Sequence, residues 1–453
     1  MNASEQNKQN QQERVIPKLR FPEFQTALGW ENRPLSTVFN RITLKNKENN
    51  QNVLTISAQY GLISQLDFFN KSVSAKDITG YYLLHKGDFA YNKSYSNGYP
   101  YGAIKPLKLY DKGVVSTLYI CFKAKESYSN YGDFFEHYFE AGVQNNDIGK
   151  VAQEGARNHG LLNIGIQEFF NEVNVLIPSF EEQQKIADSL SSLDELIELQ
   201  EQKLIALKQH KKGLMQQLFP SHNDLQASKQ ASKQASKQAS KQASKIVYPK
   251  LRFPQFKNCE GWEVVLLSDI ALVNPKKEKL PDRLQISFIP MSQVSEDGKI
   301  NNVEIKKVYE VKKGYTAFKD NDIIFAKITP CFENGKAALL NNLENGYGFG
   351  STEFHVIRPK NSDGLSTFLF AYLYSNELFT QGKLSMTGSA GQQRVPAIFF
   401  ENYLVALPSA KEQQAIADCL SSLDNLISEQ SEQIDRLKTH KKGLMQQLFP
   451  TIQ

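Results

Sequence analysis

The chain has 453 residues, 40% of them hydrophobic and 11% aromatic, enough for two or three packed domains and against a disordered polymer. No apolar run approaches the ~18 residues of a membrane span, the polar N-terminus has no signal-peptide core, and Cys121, Cys259, Cys331 and Cys419 form no C-x-x-C pair; a cytoplasmic protein without disulfide framework or zinc site is expected. The net charge of +5 equals the five lysines of one acid-free segment (Lys229, Lys233, Lys237, Lys241 and Lys245), so bulk charge announces no nucleic-acid binder and any basic surface must be local.

Residues 1–13 are Gln/Asn-rich and read as a disordered tail. A first globular region follows over 14–180, opening on Ile16-Pro17-Lys18-Leu19-Arg20-Phe21-Pro22 and then Gly29-Trp30. Strand-like runs at 53–56, 118–122 and 173–177 alternate with Gly/Asn/Asp turns, and one helix is expected near 133–141. Within this region Gly87 to Gly102 is an aromatic, polar segment. Lys93, Ser94, Tyr95, Ser96, Asn97 and Tyr99 offer donors and acceptors suited to phosphates and base edges, on Asn-Gly and Pro-Tyr-Gly turns. A Tyr-rich hairpin that only packs is the competing reading. A second polar loop, 155–160, carries Arg157, Asn158 and His159.

Residues 181–220 have apolar residues on a 4-3 spacing: Ile186, Leu190, Leu193, Ile197, Leu204, Leu207, Leu214 and Leu218. A narrow stripe held over four to five heptads is the mark of a coiled coil, here a helix of roughly 55 Å. Pro178-Ser179 precedes it and Pro220 ends it. The linker 221–245 contains four copies of Ala-Ser-Lys-Gln and a truncated fifth. Lysines at i, i+4 repel, so the isolated helicity of this spacer should be weak; it can change length in four-residue steps, with one repeat about 6 Å if helical and up to about 13 Å if extended.

The opening motif returns as Tyr248 to Pro254 with Gly261-Trp262, 232 residues later, and starts a second globular region over 246–408. Strands are expected at 286–289, 323–328 and 354–357, and one helix at 365–378. Lys327, Thr329, Asn334 and Lys336 stand where the tyrosine segment stood, followed by Thr352 in Gly-Ser-Thr-Glu-Phe and by Gln392, Gln393 and Arg394 in a Gly-rich loop. Arg and Gln bond bidentately to guanine and adenine edges, although a turn that merely connects elements reads the same way. Residues 409–453 repeat the heptad helix with Ile416, Leu420, Leu423, Ile427 and Ile434 in the stripe; the 40-residue copies are identical at 27 positions. The chain is therefore a tandem duplication of α/β (mixed α+β) regions, each followed by a long helix, and the two matched stripes are expected to zip together.

Catalytic signals are missing. There is no G-x-x-x-x-G-K-[ST], no G-x-G-x-x-G after a strand and no Asn-Pro-Pro-Tyr-type loop. The seven histidines lack metal-ligand spacing, and His85, His137 and His355 read as surface or packed residues. The residues argue for a binding protein, with a coiled-coil scaffold or a stand-alone DNA-modifying enzyme as alternatives.

The doubled architecture, the EQQxIADxLSSLD and HKKGLMQQLFP helices, and the segments GDFAYNKSYSNGYPYGAI, AKITPCFENGK, GSTEF and GSAGQQRVP resemble the specificity subunit of bacterial type I restriction–modification enzymes over residues 15–450. The resemblance implies two tandem target-recognition domains joined by two long antiparallel coiled-coil helices. Each domain would read half of a bipartite double-stranded DNA target whose gap follows the helical spacer. It implies partners as well: two methyltransferase subunits that use S-adenosylmethionine, and restriction/translocase subunits that use ATP and Mg. No cofactor is expected in this chain. The loops holding Lys93 to Tyr101 and Arg157 to His159 match the family's first domain; those holding Lys327 to Lys336 and Gln392 to Arg394 match its second.

Overall fold

A computed structural model describes residues 14–57, 60–71, 74–95, 98–154, 162–238, 246–360, 365–389 and 391–450. The chain divides into unit 1, residues 1–201 with 432–453, and unit 2, residues 202–431.

The strands of unit 1 are β1 (Arg14–Val15), β2 (Trp30–Pro34), β3 (Phe39–Arg41), β4 (Leu54–Ser57), β5 (Gly61–Ser64), β6 (Tyr82–His85), β7 (Phe89–Asn92), β8 (Ala103–Pro106), β9 (Lys112–Val115), β10 (Ile120–Ala124), β11 (Gln153–Glu154), β12 (Leu162–Asn163) and β13 (Asn174–Ile177). Helices α1 (Gly132–Glu140), α2 (Asn145–Val151) and α3 (Ile166–Glu172) pack beside them. One helix was expected here; these three form, along with the short helical turns Leu35–Val38 and Gln65–Phe69. Each of the three places aromatic or aliphatic residues such as Phe135, Ile148 and Phe169 in a core with Phe39, Phe89 and Phe122. Short helices of this kind gain stability from such packing rather than from their own propensity.

Helix α4 (Phe180–Leu218) begins in unit 1, and the Ser179 hydroxyl accepts the Glu182 N–H at its start. It is followed by α5 (His222–Gln238). In the folded chain the start of the array is helical although its isolated helicity is expected to be weak. The first turn of α5 is fixed by tertiary contacts: Leu225 is buried, the Asp224 carboxylate accepts from Ser221, and Glu377 accepts the His222 N–H. Nucleation is the costly step, and once anchored the Ala-Ser-Lys-Gln array propagates at least to Gln238. Residues 239–245 lie outside the described residues.

Unit 2 continues with β14 (Ile246–Val247), β15 (Trp262–Leu266), β16 (Ala271–Val273), β17 (Gln285–Ile289), β18 (Glu304–Lys307), β19 (Thr316–Lys319), β20 (Ile323–Ala326), β21 (Ala337–Leu339), β22 (Tyr347–Gly350), β23 (Phe354–Pro359) and β24 (Leu404–Leu407). Its helices are α6 (Leu365–Leu373), α7 (Asn376–Leu384), α8 (Ala397–Glu401) and α9 (Ala410–Leu448). The single helix expected over 365–378 is broken, because Ser375 is extended (φ −99°, ψ 149°) at the N-cap position of α7, without a side-chain capping hydrogen bond.

The two units repeat in topology where their sequences have diverged. The order β1-β2-β13 matches β14-β15-β24, and β3-β10-β7-β8 matches β16-β23-β20-β21, all antiparallel. A further sheet in unit 2, β18-β17-β22-β19, contains one parallel pair, β17 with β22. At its place in the chain, unit 1 has the separate pairs β4-β5 and β6-β9.

The repeated opening motif anchors the long helices. Arg20 donates through Nε and Nη2 to Glu182 (2.7 and 2.6 Å) and to the carbonyls of Ala27 and Leu28. Arg252 does the same with Glu412 (2.7 Å twice) and the carbonyls of Cys259 and Glu260. A fork that fills four acceptors satisfies a guanidinium and a buried carboxylate together.

Within each unit the long helices run antiparallel. In unit 1 Asp194 meets Lys441 (2.5 Å) while Glu201 meets Lys438 (2.6 Å). In unit 2 Lys211 meets Asp424 (2.6 Å), and Leu218 clusters with Ile416 and Leu420. Ile186, Leu190, Ile197, Ile416, Leu420, Ile427 and Ile434 are buried; Leu193, Leu204 and Leu423 are half-buried. Among the described residues no helix is long and apolar enough to cross a membrane.

Candidate nucleic-acid interface

One turn sets up both candidate loops. Before β7, Gly87 has φ +90° and its N–H reaches the Leu107 carbonyl; the Asp88 carboxylate then accepts the His85 N–H. Before β20, Asn321 has φ +68° and bonds the Leu340 carbonyl, while Asp322 accepts the Lys319 N–H. Glycine and asparagine are the residues that tolerate this left-handed backbone, so two unlike sequences make one turn. Each hairpin then delivers a lysine, Lys93 or Lys327, one residue past its strand.

In unit 1 the β7–β8 hairpin pairs Asn92 with Ala103. Part of its tyrosine cluster packs. Tyr91 is buried, stacks on Phe169 with ring centroids 5.0 Å apart, and donates to the Tyr101 carbonyl. Tyr99 donates to Glu140 Oε1 (2.7 Å) and accepts from Lys105, which is itself paired with Glu140. Burial, then the Glu140 carboxylate, pushes the Tyr99 phenol up. Tyr99, expected among the DNA-contacting residues, thus braces the hairpin against α1. Tyr95 is 65% exposed, and Lys93 and Ser94 are half-buried. The Lys93 carbonyl accepts the Leu162 N–H (3.0 Å), which ties this hairpin to β12. Strand β12 pairs with β11 across the segment that holds Arg157, Asn158 and His159. Those three residues, with Ser96 and Asn97, lie outside the described residues.

In unit 2 the two expected loops are joined directly. The Thr329 N–H donates to the Gln393 carbonyl (3.0 Å), and the Val395 N–H to the Lys327 carbonyl (2.8 Å). The Lys327 N–H reaches the Glu353 carbonyl (2.9 Å), which brings in the turn holding Thr352. Arg394 exchanges backbone hydrogen bonds with Thr387 (2.9 and 3.0 Å). Its guanidinium forms a two-point pair with Glu353, Nε to Oε2 at 2.9 Å and Nη2 to Oε1 at 3.0 Å. Thr352 and Gln392 are exposed and Gln393 is half-buried. Asn334 and Lys336 are otherwise engaged: Asn334 donates to Glu296 Oε1 (2.8 Å) and Lys336 to the Met291 carbonyl (3.3 Å).

The Arg394 hydrogen bond, with Lys327 and Arg394 as nearby charges, holds Glu353 below the usual carboxylate range despite some burial. Behind the pair, His355 is buried with Nε2 2.8 Å from the Val395 carbonyl, and burial lowers its pKa. His137 is likewise packed, whereas His85 is exposed. Glu353 was not among the expected site residues. It stood beside Thr352 in sequence, but its pairing with a residue 41 positions away has no local signal. Among the described residues no group of three or more His, Cys, Asp or Glu could hold a metal ion.

Residues 259–439 match the family model described as type I restriction modification DNA specificity domain. The type I restriction enzyme EcoEI specificity subunit of Escherichia coli is 44% identical over 200 residues, covering 44% of this chain and 33% of the relative. The EcoAI specificity subunit of the same organism is 42% identical over 200 residues, covering 44% and 34%. The alignment thus spans about a third of the length of these curated relatives. A solved chain, from work on complex assembly and conformational transition of the type I R-M system, matches 93% of this chain and 98% of its own, with 15% identity and a TM-score of 0.51. This chain shares that fold.

Proposed function

We propose, from the premise that this chain carries a type I restriction modification DNA specificity domain over residues 259–439, that the whole chain is a non-catalytic DNA-recognition subunit. Unit 1 reads one half of a bipartite double-stranded target and unit 2 the other. The observation that carries this reading is the duplicated juxtaposition of loops. In each unit a lysine-bearing hairpin, after β7 or β20, is fastened by a backbone hydrogen bond to a chain segment far along the sequence, at Leu162 or at Gln393 to Val395. Two unlike loop pairs on one repeated scaffold suit two different half-sites. Lysine contacts to phosphate set affinity and salt dependence, and the polar loop tips set sequence.

The relatives' function as specificity subunits and the assembly of the solved homologous fold within a type I R-M system support a place in such a complex. Two methyltransferase subunits would bind this chain and use S-adenosylmethionine; restriction/translocase subunits would supply ATP- and Mg-dependent cleavage. The chain would act in the cytoplasm. Selection of duplexes from a randomised pool by the full-length chain tests the core of this reading. A motif of two short half-sites separated by unspecified positions is expected. Methyl transfer by the purified chain alone would instead favour a stand-alone modifying enzyme, and enrichment of no DNA sequence would favour a protein scaffold.

A further inference from the structure

We infer that Glu353 is a positioning residue that presents Arg394 as a reader of guanine, an assignment that rests on the DNA-recognition reading above. A guanidinium has five N–H groups in a rigid plane. Glu353 takes the side edge, Nε–H and one Nη2–H, while Nη1 has only a long contact of 3.4 Å to the Gln392 carbonyl. The end edge, made by Nη1–H and the second Nη2–H, is left over, and the Arg394 side chain is 44% exposed. Two parallel donors match the paired O6 and N7 acceptors of guanine in the major groove. Adenine offers one acceptor and one donor there, and would leave one N–H facing a donor.

The mounting is fixed on both sides. The Arg394 backbone bonds Thr387 in both directions, and its neighbours Gln393 and Val395 are tied to Thr329 and Lys327. The Glu353 backbone is tied in turn: its carbonyl accepts the Lys327 N–H, and its own N–H donates to the Ser351 hydroxyl. An arginine braced in this way loses little rotamer freedom when it meets a base, so discrimination is gained without an ordering cost. Lysine in place of Arg394 keeps the charge but not the fork. Glutamine in place of Glu353 keeps the shape but can accept through only one atom.

The competing assignment is a surface brace whose only work is to hold the 387–394 loop against the 351–353 turn. Selection from a randomised duplex pool by the full-length chain, with thermal unfolding of each variant, separates the two. The wild-type chain is expected to show one guanine position that Arg394→Gln abolishes. Glu353→Gln should lower the guanine preference at that same position about tenfold, at the low end of what one bidentate contact contributes, with the other positions unchanged. Arg394→Lys should lose at least as much there. Glu353→Gln that lowers the unfolding temperature but leaves every base preference intact overturns the assignment, as do variants of the two residues that act on different positions. A wild-type chain that enriches no sequence defeats the parent reading before any variant is compared.

Discussion

Glu182 and Glu412 are each about 1% exposed, so each arginine that meets them neutralises a carboxylate water cannot reach. Arg20→Met should therefore cost on the order of 3–5 kcal/mol in urea unfolding, because it strands the charge. The pair itself contributes far less than this loss. Arg20→Met with Glu182→Leu should recover most of it, although the Trp30 indole N–H then loses its acceptor, now 3.2 Å away. The second repeat shows that this is tolerated, since the Trp262 indole nitrogen is buried without a partner. A double variant no more stable than Arg20→Met would defeat the argument. His137 gives a pH dependence. Burial, with Lys441 and Lys108 nearby, pushes its pKa down to about 4 against the opposing carboxylates of Asp133 and Glu140; the Asp194 carboxylate also lies 3.9 Å from Nδ1. The unfolded chain takes up this proton near pH 6.5 and the folded chain only near pH 4, so stability falls as pH drops through that window, by up to about 3 kcal/mol. His137 Nε2 lies 3.1 Å from the Ser191 hydroxyl; His137→Gln, which keeps a polar group there without a charge to gain, should show a shallower loss of melting temperature between pH 7 and 4.5. Parallel slopes would assign the acid sensitivity to other groups.

The heptad helices were the most legible elements, because a 4-3 stripe is a local pattern that needs no tertiary knowledge. Matching polar residues interrupt the two stripes, Gln200 and Lys211 in the first copy and Gln430 and Lys441 in the second, and the sequence shows them only as positions. Lys211 and Lys441 turn out to bind Asp424 and Asp194, so in each unit the lysine of one repeat meets the aspartate of the other. Such a pair penalises any helix shift that separates it, which is a register device more than a source of stability. Lys211→Asp or Asp424→Lys alone should cost roughly 0.5–1 kcal/mol, as for a partly exposed pair, and the double swap should regain most of that. Melting temperatures at low and high salt check this; a double variant as weak as the sum of its singles would count against the register role. Whether the Ala-Ser-Lys-Gln array is helical in the folded chain was not legible, for the opposite reason. Its own charges oppose a helix, and the contacts that start one, Leu225 buried and Glu377 bonded to His222, come from distant parts of the chain. Tyr99 is a similar case: composition marked it as a recognition group, and only the fold places Glu140 against it.

At the scale of the whole chain, the duplication was visible because the motifs around Arg20, Glu182, Arg252 and Glu412 must meet in each copy, which constrains them jointly. The loop-bearing interiors share strand order, and turns at Gly87 and Asn321, but few residues, since a hairpin requires only a backbone conformation at its turn. Under the proposed function, that division would also separate the determinants of a split DNA target: half-site identity would belong to the loops at Lys93 and at Lys327 and Arg394, and the spacing between half-sites to the elements that connect the units. Helix α5 runs into the repeated array, so deleting one Ala-Ser-Lys-Gln unit removes four helical residues, about 6 Å of rise and somewhat more than one full turn. At about 3.4 Å per nucleotide step this corresponds to a gap shorter by about one or two base pairs, if the linker sets the spacing. Duplex selection or methylome sequencing with the shortened chain should therefore return both half-sites unaltered around a changed gap. An unchanged gap would mean that the array only tethers the units, and that the paired helices of α4 and α9 alone set the distance between the half-sites.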